Sequence, residues 1–507
     1  MEPLALALSR STPEQRRAIE AEAAHLCVLA GAGSGKTRVL TLRTAHRVAS
    51  GTAAAEHTLV CTFTRSAAAE LRRRLAALGT PVAGPLTAAA PPGPGVRTGT
   101  IHQLALSLVS RHAADRGARP PVLVDDRAAV VAAAAAEAGV DPAVLDAEIS
   151  WAKARRSGPD AYGALAERVG RTGPGGRQAL VDGYRAYQAG LARRRALDLD
   201  DLLLAAVTLL EDDPSFAAAV HWRYRHVSVD EYQDVNPAQA ALVEAVRDPD
   251  GDLTVVGDPN QAIYGWNGAD PSLLDRAAGP GAGTLVVRLE VNHRSTPEVV
   301  AAAAAALGPA LRGAPTSARP PGPPVAVRSF GDERDEAEGV ATVVAGWAES
   351  GRPWGDLAVL ARTNEQLGAV AGACRRAGIP VASAAGDGGG DGGGTVTLTT
   401  FHGAKGREWP AVAVVGVEDG LVPLARGGQV ADPAEERRLL YVALSRATDE
   451  LHCSWAAARS VRGGRRSPRS PSPWLAAVAA VGREPGDVTE RRSAGERIAQ
   501  LRSALGG

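Results

Sequence analysis

The chain has few of the features that mark secreted or membrane proteins. It contains four cysteines in 507 residues, and no two of them stand at a metal-ligand spacing. Such a low density excludes the disulfide framework of small secreted domains. The first residues lack the charged start and long apolar core of a secretory leader, and no apolar run is long enough to cross a bilayer. We therefore expect a cytoplasmic protein with no membrane partner.

Net charge is also lacking, because 56 basic residues balance 56 acidic ones. This balance excludes a uniformly basic protein that coats nucleic acid, but a local basic groove remains compatible with it. Aromatic residues make up only 4% of the chain, which we attribute to the base composition of the gene. The length suggests about three domains or subdomains.

What the sequence does contain is an alternation of short apolar strands and helices. His25–Ala30 and Leu59–Thr62 are predicted strands followed by helices, and Val227–Val229 and Leu253–Val256 are predicted to extend the same sheet. This alternation predicts an α/β fold with a parallel sheet covered on both faces. From about residue 102 to 195 the pattern is helical without clear strands, so a helical insertion interrupts the first α/β domain.

A second α/β pattern runs from Thr284 to about Ala480. Its predicted strands are Leu285–Leu289, Val325–Ser329, Leu357–Ala361, Val396–Thr400 and Ala411–Val415. A Gly-rich run at residues 382–395 is expected to be a flexible loop. The predicted domains are residues 1–103 and 197–282 (first α/β domain), 104–196 (helical insertion), 283–480 (second α/β domain) and 481–507 (flexible tail).

The string AGAGSGKT follows an apolar strand and opens a helix, as a phosphate-binding P-loop does. Backbone N–H groups can cradle phosphates, Lys36 can reach the outer ones, and the Thr37 hydroxyl can ligate magnesium. A chance Gly-rich turn is the alternative, which the strand before and the helix after make improbable. The predicted phosphate-binding residues are Ala30, Gly31, Ala32, Gly33, Ser34, Gly35, Lys36 and Thr37.

Two carboxylates end the predicted strand in VSVDEYQD. Asp230 can hold magnesium, and Glu231 can orient and deprotonate an attacking water. An acidic loop cap is the alternative reading of this stretch alone.

The string LTVVGDPNQAIYGWNGAD places three further side chains in a loop after a strand. Gln261 can sense a γ-phosphate, and Tyr264 and Trp266 can stack on nucleic-acid bases. An aromatic residue taken alone is more often part of the core than of a base platform, so both readings of the two aromatic residues stay open.

Together these strings, in this order from Thr12 to Arg446, resemble superfamily 1 DNA helicases of the UvrD/Rep type. The resemblance implies two RecA-like domains, ATP and Mg²⁺ as cofactors, and single-stranded and tailed duplex DNA as partners. It also implies 3′-to-5′ movement on single-stranded DNA and a place in DNA repair or recombination. We expect repair proteins as further partners and a monomer in solution.

The resemblance assigns further roles at the nucleotide by position. Gln15 matches an adenine-reading glutamine, Arg38 and His293 match residues that stack on adenine, and Glu408 matches one that meets the ribose. His293 stands where the family usually has Tyr. Arg294 would reach the γ-phosphate and Arg446 would be an arginine finger, for which surface salt bridges are the alternative. The predicted catalytic set is Lys36, Glu231, Gln261, Arg294 and Arg446.

The resemblance also assigns DNA contacts. Phe63, Thr64 and Arg65 lie in a segment that lines the single-strand path, His102 lies in the next, and His402 and Lys405 would face DNA from the second domain. The acidic string at Leu197–Leu203 resembles a helix start before the magnesium motif, and a purely structural helix cap is at least as good an interpretation.

Two departures from the family pattern bear on function. Asn267 stands where Arg is common, which removes or weakens one phosphate or DNA contact. Only residues 381–399 separate the GIP turn from the TxH string, so we predict that the large helical accessory insertion is missing. Three functions are therefore compared: an active helicase, a single-strand translocase that unwinds little, and a non-catalytic DNA-binding module. The Arg-rich tail is expected to be a solvated segment.

Overall fold

The fold is taken from a computed structural model, which describes residues 3–87, 93–171, 176–279, 283–383, 394–426, 429–430, 432–460 and 466–481. The chain forms two compact units. The first comprises residues 1–295, 310–319 and 432–442, and the second comprises residues 296–309, 320–431 and 443–507. The predicted tail after residue 481 and the centre of the Gly-rich run lie outside the described residues.

The strands, in chain order, are β1 (His25–Ala30), β2 (Thr58–Thr62), β3 (Arg97–Thr100), β4 (Val122–Leu123), β5 (Ala196–Leu197), β6 (His226–Val229), β7 (Asp252–Gly257), β8 (Leu285–Leu289), β9 (Val291–Asn292), β10 (Thr316–Ser317), β11 (Ala326–Phe330), β12 (Leu357–Ala361), β13 (Val381–Ser383), β14 (Val396–Thr400), β15 (Trp409–Val415), β16 (Ala425–Arg426), β17 (Gln429–Val430), β18 (Ala447–Ala456), β19 (Ala458–Ser460) and β20 (Arg466–Pro468).

The helices are α1 (Pro3–Ser9), α2 (Pro13–Glu20), α3 (Lys36–Ala49), α4 (Arg65–Ala77), α5 (Ile101–Asp115), α6 (Arg127–Ala138), α7 (Pro142–Ala154), α8 (Pro159–Arg168), α9 (Arg177–Arg194), α10 (Leu199–Asp212), α11 (Pro214–Arg223), α12 (Pro237–Val246), α13 (Ser272–Ala277), α14 (Pro297–Leu307), α15 (Glu333–Glu349), α16 (Asn364–Arg376), α17 (Pro433–Leu444) and α18 (Leu475–Val481). Within the described ranges, no single helix is long and apolar enough to cross a membrane; α6 and α7 reach such values only as a pair bent by 108°.

The first unit is built on a parallel sheet in the order β3-β2-β6-β7-β1-β8. Most of its strands are short apolar runs that are largely buried, as is typical of parallel strands between helical layers. One face packs with α5, α10 and α12, and the other packs with α2, α3 and α4. Because all strands run the same way, their carboxyl ends meet at one edge. In such sheets that edge is the usual place for a ligand.

The helical insertion, residues 104–196 in our prediction, has its own apolar core from α6, α7, α8 and α9. A buried ionic group joins this insertion to the start of α10. The fully buried Nζ of Lys153 lies 2.7 Å from both Asp198 and Asp201, and the Tyr187 hydroxyl donates to Asp198 at 2.6 Å. Asp198 also caps α10 by accepting the N–H of Asp201 at 2.7 Å. The cap reading of this acidic string therefore has direct geometric support, and the small β4–β5 pair was not expected.

The second unit contains a parallel sheet in the order β11-β18-β15-β12-β14-β13. Helices α15 and α16 cover one face around Leu357, Val359 and Ala413. The predicted α/β fold with two parallel sheets is confirmed. Strand β18, whose sequence ATDELHCSWA alternates polar and apolar residues, was not predicted, yet it lies between β11 and β15.

One predicted strand lies in a different sheet from the one expected. Leu285–Leu289, which we placed in the second α/β domain, pairs in parallel with β1 and completes the first sheet. The apolar pattern predicts that a strand forms but carries no information about which strand it pairs with. The strand follows α13, so β7, α13 and β8 form one more strand–helix–strand repeat of the first unit. The segment after β8 therefore starts at the same sheet edge as the P-loop.

Part of the Arg-rich tail is also ordered against the second unit. Arg459 on β19 forms short ion pairs with Glu336 and Glu418, both nearly fully buried, and Arg466 pairs with Asp332. The expectation of a solvated segment is wrong for Arg459, because the buried carboxylates of Glu336 and Glu418 require a cationic partner. It agrees with Arg466, whose side chain stays mostly exposed. Arg462 and Arg465 lie outside the described residues.

Candidate active site

The P-loop turns through two glycines at the carboxyl end of β1. Gly33 and Gly35 have φ of +70° and +88°, values that favour residues without a Cβ. A Cβ on Gly33 would also lie 2.5 Å from Oδ1 of Asn292. The N–H of His293 donates to the Gly33 carbonyl at 2.9 Å, so the segment after β8 fixes the loop from one side.

Lys36 opens α3 and folds back over the loop. Its Nζ donates to the Ala30 carbonyl at 3.1 Å and lies 3.6 Å from Oδ2 of Asp258. The Asp258 side chain is almost completely buried. The ammonium group is thus held over the concave face of the loop, where phosphates would replace the carbonyl contact.

Asp258 connects several predicted residues, although we had assigned it no role. Its Oδ2 accepts a hydrogen bond from Nε2 of Gln261 at 2.7 Å, and its backbone N–H donates one to Oε1 of Gln233 at 2.9 Å. The available signal was its place directly after β7. Because β7 pairs with β1, the residue that follows it must lie beside the P-loop.

The two carboxylates after β6 lie at the same edge. The Thr37 hydroxyl donates to Oδ2 of Asp230 at 3.0 Å. Burial and the neighbouring Glu231 raise the pKa of Asp230 to about 7. A cation beside Thr37 and Asp230 would relieve that unfavourable charge, so these residues fit a magnesium ion.

The described residues contain no cluster of three or more His, Cys, Asp or Glu side chains that could enclose a metal. The magnesium site predicted at Thr37 and Asp230 is instead of the nucleotide type. Such sites take one or two protein ligands and complete the shell with phosphate oxygens and water.

Glu231 has a backbone φ of +54°, which is strained for a residue with a side chain. Its Oε2 accepts Nε2 of Gln233 at 2.5 Å. Gln233 is therefore hydrogen-bonded to both Glu231 and Asp258 and links the Glu231 carboxylate to the residue that lies beside Lys36. Sequence reasoning did not find Gln233 in this role.

Helix α2 places Gln15 against the P-loop. Thr12 and Gln15 form a capping box, and Nε2 of Gln15 donates to the Ser34 carbonyl at 3.0 Å. The predicted adenine reader and the phosphate loop are thus adjacent. Arg38 is exposed and donates to the Ala7 carbonyl at 3.0 Å, which leaves its predicted stacking role without a visible geometric counterpart.

Three predicted DNA-binding aromatic residues lie together near the carboxylates. The rings of Phe63 and Tyr264 are stacked, with centroids 5.3 Å apart and planes at 14°. Trp266 lies 6.3 Å from Tyr264, and 61% of its surface is exposed. The core reading, which the sequence left open for Tyr264 and Trp266, does not hold for Trp266 because most of its surface is exposed.

A cavity of about 250 Å³ joins this aromatic cluster to the hydrolytic residues. Phe63, His102, Tyr264, Asp230 and Glu231 all line it. Burial lowers the pKa of His102, so its ring is neutral near pH 7. Asp200 and Asn267 line the same cavity, and burial beside Asp198 raises the pKa of Asp200 to about 6.

The two residues after Phe63 start helix α4. The Thr64 hydroxyl accepts the N–H of Ala67 at 3.1 Å and thereby caps that helix, while Arg65 is exposed. The capping bond occupies the Thr64 hydroxyl without burying it, and the structure places both residues beside the cluster of Phe63 and Tyr264.

Residues 289–295 belong to the first unit, whereas we expected them in the second domain. The carbonyl of Arg294 accepts a hydrogen bond from Arg319 at 2.8 Å. Arg294 and His293 thus extend from the same unit as the P-loop, because β8 ends at that sheet edge.

The remaining predicted residues lie in the second unit. Arg446 is 2% exposed, and its guanidinium donates to the Arg407 carbonyl at 3.2 Å and to the Ser445 hydroxyl at 3.0 Å. Glu408 is exposed, and His402 and Lys405 are partly exposed in the turn after β14. A surface salt bridge, the alternative for Arg446, is excluded by its burial.

Comparison with known proteins covers almost the whole chain. A family model described as the UvrD/REP helicase N-terminal domain matches residues 11–280. One described as the UvrD-like helicase C-terminal domain matches residues 287–388 and 387–458. These last two stretches meet inside the Gly-rich run, where we predicted the accessory insertion to be missing.

Among individual relatives, the chain is 35% identical to the ATP-dependent DNA helicase UvrD2 of Mycobacterium tuberculosis, over 95% of this chain and 83% of that protein. It is 31% identical to the ATP-dependent DNA helicase PcrA of Leuconostoc citreum, over 70% of this chain and 47% of that protein. The chain is 34% identical to the ATP-dependent DNA helicase UvrD1 of Mycobacterium leprae, over 57% of this chain and 38% of that protein.

Proposed function

The chain belongs to the UvrD/REP helicase family and is an ATP-driven DNA helicase, and from this premise we propose that it moves 3′-to-5′ along single-stranded DNA and acts in DNA repair or recombination. The direction and the repair role rest on the family resemblance, and the single observation that supports coupling of DNA to hydrolysis is the shared cavity of the first unit. Base-stacking aromatics and hydrolytic carboxylates line one space of about 250 Å³. A base that enters it approaches the residues that act on ATP, which gives DNA a direct route to stimulate hydrolysis.

In the proposed mechanism, the P-loop N–H groups and Lys36 hold the phosphates of ATP. Thr37 and Asp230 would hold Mg²⁺, which when bound neutralises charge on the β- and γ-phosphates. Glu231 accepts a proton from the attacking water and is oriented by Gln233. Gln261, held by Asp258, faces the γ-phosphate. Gln15 reads the adenine edge, His293 stacks on the base, and Glu408 meets the ribose.

Arg294 and Arg446 supply positive charge to the transferring phosphate. A finger of this kind accelerates hydrolysis on the order of 10³–10⁵-fold in nucleotide hydrolases. Phe63, Tyr264 and Trp266 stack on bases, and Thr64, Arg65, His102, His402 and Lys405 contact the strand. We also propose two RecA-like domains, with β8 and residues 289–295 in the first one, together with a monomeric state and a cytoplasmic location.

The test compares ATP hydrolysis with and without single-stranded DNA, followed by displacement on duplexes with a 3′ or a 5′ tail. We expect DNA-stimulated hydrolysis and displacement only from the 3′ tail. Lys36→Ala and Glu231→Gln should abolish both activities while DNA binding persists. Displacement from the 5′ tail alone would contradict the proposed direction.

A second candidate is a translocase that strips proteins from single strands and unwinds little. The observation that favours it is the short connection between β13 and β14, 12 residues (384–395) in place of a helical accessory insertion. Strong DNA-stimulated hydrolysis without displacement from either tail would support this alternative over the first.

A further inference from the structure

Helix α17 begins beside the loop that carries Tyr264 and Trp266. Nε of Arg438 donates a hydrogen bond to the Ala262 carbonyl at 2.6 Å. The Glu435 carboxylate accepts the backbone N–H groups of Gly265 and Trp266. All these residues belong to the first unit. Two side chains one helical turn apart thus hold the loop at both of its ends.

The loop is shaped to accept this contact. A Cβ on Gly265 would collide with Oε2 of Glu435, so the carboxylate lies against the bare backbone. Burial, together with Asp432, raises the pKa of Glu435 above its usual range, while Arg438 and the two N–H groups act in the opposite direction. A half-buried carboxylate costs free energy unless it is hydrogen-bonded; here the bonds go to the loop.

The anchored loop is the one that forms the aromatic cluster. Tyr264 stacks on Phe63, and the side chain of Trp266 extends outward. The bonds that Glu435 and Arg438 make to this loop go to its backbone atoms. The two charged side chains therefore set where the loop backbone lies and, through it, where the rings point.

We propose that Glu435 and Arg438 are positioning residues that hold the Ala262–Asn267 loop in the conformation that presents Tyr264 and Trp266 to DNA bases. The proposal rests on the proposed function, since it takes the aromatic cluster as the DNA contact. Helix α17 ends at Leu444, two residues before Arg446. The helix that holds the base platform is therefore followed directly in sequence by the proposed arginine finger.

The test measures the concentration of single-stranded DNA that gives half-maximal stimulation of ATP hydrolysis. Glu435→Ala and Arg438→Met should each raise it at least tenfold, with melting temperatures close to that of the unaltered protein. Glu435→Gln keeps an oxygen that can accept the two N–H groups and should restore most of the affinity. Glu365→Ala, an exposed glutamate in the first turn of α16, is the matched control.

A double-mutant cycle separates positioning from general structural damage. If Glu435 acts through the tryptophan, adding Glu435→Ala to Trp266→Ala should weaken DNA binding less than twofold further, because contacting residues show non-additive effects. Fully additive effects, or a Glu435→Ala protein with unchanged half-saturation, would overturn the inference. An unaltered protein that DNA fails to stimulate would instead refute the proposed function itself.

Discussion

Gly33 shows how closely the P-loop packs against the segment that follows β8. Gly33 combines a left-handed backbone with a missing Cβ that leaves room for Asn292. Asn292 uses its Oδ1 to accept the N–H groups of Arg294 at 2.7 Å and Ser295 at 2.8 Å. The space beside Gly33 is therefore occupied by a side chain that cannot move without breaking two bonds.

We predict that Gly33→Ala destabilises the first unit by about 1–3 kcal/mol, through backbone strain and displacement of Asn292. Denaturant unfolding in the absence of nucleotide measures this. Gly31→Ala is the control, because a Cβ there meets nothing within 4 Å, and its effect should stay within about 1 kcal/mol. Equal losses for the two variants would contradict this explanation.

His452 gives a second expectation at the residue scale. It is buried in β18, its Nε2 has no hydrogen-bond partner among the described residues, and burial together with Arg328 lowers its pKa to about 4. The unfolded state, with a pKa near 6.5, binds the proton first as pH falls. The histidine therefore favours folding above about pH 6.5, and this contribution is lost as pH falls towards 4.

We predict that the second unit loses up to about 3 kcal/mol through this histidine between pH 7 and pH 4. His452→Leu should flatten that part of the stability profile, measured by denaturant unfolding at several pH values. A slope that survives in His452→Leu would assign the acid sensitivity to other groups.

At the scale of elements, the helix that carries Gln15 depends on one buried arginine. Arg43 of α3 donates to the carbonyls of Ala18, Ile19 and Ala21 at 3.0, 3.3 and 2.7 Å. These are carbonyls at the end of α2 that the helix itself cannot satisfy. Burial lowers the pKa of Arg43 to about 10, yet the group stays charged at physiological pH.

We predict that Arg43→Met costs about 2–4 kcal/mol, because it leaves buried carbonyls without a donor. It should also raise KM for ATP, since α2 holds Gln15 against Ser34. Arg17→Met, on the exposed face of α2, is the control for both measurements. Lost stability with an unchanged KM would show that α2 is not needed to position the nucleotide.

The sequence predicted the elements around the P-loop well, because a Gly-rich turn between an apolar strand and a helix has few alternative structures. It missed β3, whose residues RTGT are scarcely apolar, and β18, whose polar residues resemble an exposed strand. It placed β8 in the second sheet, since strand pairing depends on residues far apart in the chain. For the same reason it missed the contacts of Asp258 and Gln233, which only the meeting of β6, β7 and β1 creates.

At the scale of the whole molecule, neither compact unit is one continuous stretch of chain. The first takes residues 310–319 and 432–442 from within the second half of the sequence. The family assignment follows from motifs spread over the entire length, and the residues proposed to act on ATP likewise come from Gln15 to Arg446. A neutral total charge is compatible with this arrangement, because the proposed DNA contacts are concentrated in a few loops.

Helix α17 lies near the end of the sequence but belongs in large part to the first unit. This arrangement has a consequence for synthesis on the ribosome. The β1 strand is made early, but its neighbour β8 follows about 250 residues later, and residues 432–442 are made later still. A domain whose parts are separated in this way cannot finish folding until residues 432–442 have been made. The nascent chain would expose unfinished sheet edges throughout most of its elongation, which makes it a natural client for chaperones.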